Sequence, residues 1–143
     1  MNTINPSPAT LLRRLAAILY DIILLFSVLF VASIPVVAVL NITWGSPYYG
    51  YYRAGLFVLC FLYFGWFWVH GGQTLGMKSW GIRLVSTRGP AISWPQAMLR
   101  FVTAIASWGV FGMGFLWSLF REDRATWHDL ISDSRLIKEI RPN

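Results

Sequence analysis

Acidic side chains and soft metal ligands are scarce in this chain. Its 143 residues include six Asp plus Glu, one Cys and two His. A lone cysteine, Cys60, excludes an intramolecular disulfide framework. Cys60, His70 and His128 are too few for a structural zinc site, so no metal or cofactor is expected. No Ser or Cys stands in a recognisable nucleophile motif, and the chain does not read as an enzyme. A secretory leader is also not expected: Asp21 interrupts the first apolar run, and no small-residue cleavage site follows it. Twelve basic residues against six acidic ones leave a net charge of +6. They are thinly spread beside hydrophobic runs, a pattern of membrane topology and attraction to anionic lipid, with no nucleic-acid surface.

What is abundant is apolar and aromatic. Hydrophobic residues make up 56% of the chain, with eight Trp, ten Phe and six Tyr. A soluble domain of this length cannot bury so much. The reading is one integral membrane unit over residues 11–143, behind a polar, turn-rich segment, residues 1–10, that reads as flexible. Two stretches are long enough for the roughly 20 residues a bilayer core requires, or nearly so: Leu15 to Leu40 and Ala54 to Val69. Between them, Trp44, Tyr48, Tyr49, Tyr51 and Tyr52 cluster as an interfacial belt. Lys78, Arg83, Arg88 and Arg100 make residues 71–100 the basic connection. The positive-inside rule therefore puts that connection and the N-terminus in the cytoplasm.

A third apolar region, Phe101 to Phe120, resists a simple reading. A single crossing would leave Arg121, Arg124, Arg135, Lys138 and Arg141 outside, against the rule. Gly109, Gly112 and Gly114 also weaken its middle as a helix. A re-entrant pair of short helices is favoured over a single span. "WGIRLVS" and "SDSRLIKEI" alternate as short strands, which can pair only on one side of the membrane. The expected fold is thus an all-α membrane protein with two full transmembrane helices, a Gly-rich re-entrant hairpin and short cytoplasmic strands.

Asp21 is the residue that asks for an explanation. A carboxylate in hydrocarbon costs roughly 2.5–3.5 kcal/mol on insertion scales. Arg14, seven residues earlier, lies on nearly the same helix face but about 10 Å away along the axis. The two are too distant to pair directly and are expected to share partners on other segments, with Arg100 and Asp129 the candidates. Such a buried charge network serves either to fix helix packing or, as the alternative, to bind a proton or monovalent cation at Asp21. "GGQTLGMKS" falls short of a phosphate-binding loop because Met77 intervenes before Lys78 and the segment follows a helix where the motif needs a strand. His128 beside Asp129, next to Arg121 and Arg124, reads as a solvated or salt-bridged interfacial turn.

These pieces together resemble the RDD family of small membrane proteins. The resemblance rests on "RRLAAILYD", "GQTLGMKSWGIRLV", the Arg of "MLRF" and "RATWHDLISDSRLI", in that order. It identifies Arg14 with the family's arginine, Asp21 and Asp129 with its two aspartates, and Gly72, Gln73, Thr74, Leu75, Gly76 and Gly81 with its glycine-punctuated motif. Ser132-Asp133-Ser134 stands where the family often has Ala-Gly-Thr. The resemblance implies a multi-pass protein of the bacterial inner membrane. Some members look like cation/proton antiporters, and in others the domain acts as a scaffold. The expectation here is a non-enzymatic membrane scaffold or adaptor, with monovalent cation/proton exchange as the alternative. Its partners would be the lipid bilayer and either further copies of itself or other membrane proteins.

Overall fold

The computed structural model describes residues 7–110, 113–120, 122 and 125–138. Arg121, Arg124 and Arg141, and Gly112 of the third apolar region, lie outside the described residues, as do residues 1–6. The elements are α1 (Leu11–Leu40), α2 (Tyr49–Gly71), α3 (Leu75–Ser79), β1 (Ile82–Ser86), α4 (Trp94–Gly109), α5 (Met113–Leu116), a 3-10 turn at Trp117–Leu119, α6 (Trp127–Ile131) and β2 (Ser134–Lys138).

The two long helices are apolar enough to cross a membrane. At 1.5 Å per residue, 30 and 23 residues give about 45 and 35 Å, more than the hydrocarbon thickness of about 30 Å. Their burial is inverted relative to a soluble helix. The buried residues of α1 are Arg14, Ala17 and Asp21, while Leu19, Ile23, Phe26, Phe30 and Val31 are exposed. The spacing of three and four places the buried set on one face. Hydrocarbon accepts the rest of the helix, so only the polar stripe must be covered by protein.

That cover is built at one end of the helices. Gly72 ends α2 in the left-handed region, φ 65°, and its N–H returns to the Trp68 carbonyl at 3.1 Å, an arrangement that favours glycine. The Gly72 carbonyl then accepts from the Leu84 N–H at 2.7 Å, tying β1 to the helix end. A Cβ on Gly72 would lie 2.5 Å from the Leu84 oxygen. In between, Thr74 caps α3 by accepting from the Met77 N–H, and α3 lies flat on α1.

The strands expected from the sequence pair antiparallel, with Ile82 opposite Lys138, Leu84 opposite Leu136 and Ser86 opposite Ser134. Part of the segment read as flexible is held: the Ala9 N–H donates to the Leu136 carbonyl at 3.1 Å, and the Lys138 N–H to the Ser7 carbonyl at 2.9 Å. Residues 7–9 thus run along the outer side of β2. A free strand edge with unpaired donors is what makes this cheap.

The third apolar region differs from its expected limits. Its helix begins at Trp94, not Phe101, because Ser93 and Gln96 form a capping box and Pro95 sits in the first turn, where it removes no hydrogen bond. The helix stops at Gly109, and α5 restarts the chain at Met113. Phe57, Phe61 and Phe64 of α2 pack against Phe101 in tilted or edge-on contacts, with centroids 5.4 to 6.4 Å apart. Gly65 makes room for the Trp94 ring, since a Cβ there would sit 2.9 Å from it. Much of the aromatic face of α2 is therefore spent on α4. The buried apolar core joins Ala17, Trp68, Met77, Ile82, Leu84, Ala97, Phe101 and Leu136, all at the end of the bundle that carries the sheet.

Candidate functional site

Two polar nodes lie beside this core. The first joins three residues far apart in sequence. Asp129, on the single turn of α6, accepts from Arg14 Nη1 at 2.6 Å through one oxygen and from Arg100 Nη1 at 2.5 Å through the other. Side-chain exposure is 1% for Arg14 and Asp129 and 3% for Arg100, so the pairs are dry. Neutralisation is supplemented by ordinary hydrogen bonds. The Thr126 N–H donates to Asp129, Arg14 Nε to the Ala9 carbonyl, and Arg100 Nη1 to the Ser134 hydroxyl. The Arg100 guanidinium also lies over the Trp68 ring, 5.4 Å from its centroid, a favourable use of the ring's negative face.

Burial by itself would raise the Asp129 pKa. The guanidiniums of Arg100 and Arg14 reverse that effect and hold the carboxyl well below the usual carboxylate range. His128 goes the other way for a cation. Burial and the Arg100 charge, opposed by Asp129, push it down to about 3, leaving a neutral ring at neutral pH. Its Nε2 lies 3.0 Å from the Thr126 hydroxyl.

The second node is Asp21. The Thr74 hydroxyl donates to one carboxylate oxygen, and the Gly76 N–H donates to the other at 2.9 Å. The Tyr63 hydroxyl faces the same carboxylate from α2, outside hydrogen-bond geometry. Gly76 has to be glycine for this to happen: a Cβ would collide with the Ala17 carbonyl and come within 2.8 Å of Asp21 Cγ. The amide that the near-miss phosphate loop would have turned to a phosphate is thus given to a carboxylate of the chain itself.

The arrangement corrects one expectation. Arg14, Arg100 and Asp129 meet as expected, but Asp21 does not share them. Seven residues along α1 carry it beyond their reach, to the motif loop. The other motif residues act locally. Gln73 donates from Nε2 to the Ile82 carbonyl at 2.9 Å and accepts from Arg83, and Gly81 enters β1 at φ 59°. Sequence reading missed Thr126, Ser134 and Trp68 as parts of the first node. Only the Ser/Thr positions flanking "WHD" offered a signal, as hydroxyls beside a charged residue.

Asp133 adopts φ 46° between α6 and β2, where the resemblance places a glycine. Asp tolerates the left-handed region better than most residues, so the turn into β2 survives the change.

A model of the RDD family matches residues 8–133, which takes in both nodes apart from Ser134, and the motif loop, and ends just before β2. No curated protein and no solved structure matches the chain.

Proposed function

Because the chain belongs to the RDD family, we propose that it is a non-enzymatic membrane scaffold whose buried charges lock two spanning helices to an interfacial platform. The observation that supports this is the use of the charges. Both oxygens of Asp129 and both of Asp21 are engaged by donors from elsewhere in the chain. Residues 115 positions apart are joined in one dry node. Groups so engaged organise a fold, and the exposed apolar faces of α1 and α2 are then free to meet lipid or other membrane proteins.

The alternative is a monovalent cation/proton antiporter with Asp21 as the exchanging carboxylate. One observation favours it: Asp21 borders an internal cavity of about 80 Å³. Reconstituted vesicles separate the two. The scaffold reading expects no cation-driven proton flux from the parent protein and a lowered melting temperature in Asp21→Asn. Flux in the parent that vanishes in Asp21→Asn, with melting unchanged, would establish exchange.

The same proposal places the protein in the bacterial inner membrane with its N-terminus and both strands in the cytoplasm, and residues 101–120 re-entering without crossing. Two findings support this. Pairing of β1 with β2 brings the chain that leaves α2 and the chain that follows the third apolar region to one side. The helix that ends at Gly109 leaves α4 at 16 residues, about 24 Å, short of a full crossing. In a Cys60→Ser background, single cysteines at Arg88 and Glu122 should label from the same side and one at Trp44 from the opposite side. Opposite labelling of Arg88 and Glu122 positions would mean a full third crossing.

A further inference from the structure

The cavity of about 80 Å³ lies where α1, α2, α4 and α6 approach each other, with Arg14, Asp21, Trp68, Arg100 and His128 on its walls and Ile82 among the apolar closures. One water needs roughly 10–15 Å³ of such space, so the cavity admits something larger. Three of the wall residues carry a buried N–H that has no hydrogen-bond acceptor among the described residues: Arg14 Nη2, Arg100 Nε and Trp68 Nε1. Guanidinium and indole groups donate and cannot accept. Buried donors of this kind are rare unless an acceptor is bound.

The charged groups around the cavity balance. Two arginines share one carboxylate, Asp129, which leaves the node one positive charge in excess. His128 is neutral. Asp21, the remaining carboxylate on the wall, offsets that excess, and both its oxygens already accept from Thr74 and Gly76. A cation entering here would face three N–H dipoles, whereas an anion would satisfy them. We propose that the cavity is a binding site for a small monovalent inorganic anion such as chloride, held by Arg14 Nη2, Arg100 Nε and Trp68 Nε1. The site stands whether the protein is a scaffold or an exchanger.

The full chain in detergent micelles provides the test, melted in sodium chloride, sodium bromide or sodium gluconate at equal ionic strength. Halide binding to the folded state alone should raise the folded-to-unfolded ratio as 1 + [halide]/Kd, by roughly tenfold at ten times Kd. Gluconate is too bulky for the cavity and should give no such curve. Trp68→Phe keeps a ring under Arg100 and removes one donor to a charged ligand, so it should raise the halide Kd obtained from that dependence by about tenfold. Crystals grown in bromide give a readout that needs no variant: an anomalous peak within hydrogen-bond distance of the three donors is the expected result. The same melting behaviour in chloride and gluconate overturns the proposal, as does a Trp68→Phe protein with the parent's halide Kd or a cavity containing only water.

Discussion

Asp129→Asn is expected to cost about 3–5 kcal/mol of stability, the range found when one partner of a buried ion pair is removed. The substitution keeps the size of the side chain and abolishes its charge. Arg14 and Arg100 would then face each other without a counter-ion, at 2% and 3% exposure. One of the two also loses its acceptor, because an amide offers a single oxygen where the carboxylate offers two. The penalty comes from stranding two cations, not from the intrinsic strength of either bridge. An instructive control lies four residues on. Arg88 and Asp133 also form an ion pair, at 2.5 Å, but the arginine side chain is 74% exposed and the aspartate 35%. Water screens that pair, and Asp133→Asn should change stability by less than about 1 kcal/mol. Unfolding in micelles by denaturant titration compares the two directly. Equal effects from both substitutions would mean that the Asp129 node does not hold the fold.

Gly76→Ala should have the second large effect, a loss of about 3 kcal/mol or more, at or above the upper end of ordinary overpacking. The obstacle is backbone: the Ala17 carbonyl oxygen cannot rotate away as a side chain could. To admit a methyl group, α3 must lift from α1. The Gly76 N–H then leaves the Asp21 carboxylate, and the Thr74 hydroxyl moves with it. A carboxylate stripped of donors in this setting is a further cost. Gly55→Ala in α2 is the comparison, since a Cβ there meets nothing within 4 Å. It should be neutral or slightly stabilising, by up to about 1 kcal/mol. If Gly76→Ala melts with the parent, the close approach of α3 to α1 is not the feature that seats Asp21.

Several parts of this molecule could be read along the chain because their causes are local. The two long helices follow from unbroken apolar runs. The strands follow from alternation over five residues, and the interruption near Gly109 from glycine's poor fit to a helix. Ser93-Trp94-Pro95-Gln96 carries a start signal for α4 that hydropathy alone passes over, because the cap is polar. The attachment of residues 7–9 had no comparable signal, because a strand edge recruits a neighbour through backbone atoms that every residue possesses.

By itself the sequence determined that this is a membrane protein with two spanning-length helices, and that Arg14, Asp21, Arg100 and Asp129 are its costly polar residues. Only the tertiary structure decided which of them meet. Charge and helix period put Arg14 and Asp21 on one face, too far apart to pair, and made Arg100 and Asp129 the partners expected for both. The choice turned on where a five-residue helix, a capped α4 and the edge of β2 come to rest in space. Coulomb attraction and hydrogen bonding act over a few ångströms in a dry interior, so partners are set by proximity across more than a hundred residues of chain, which no local pattern encodes.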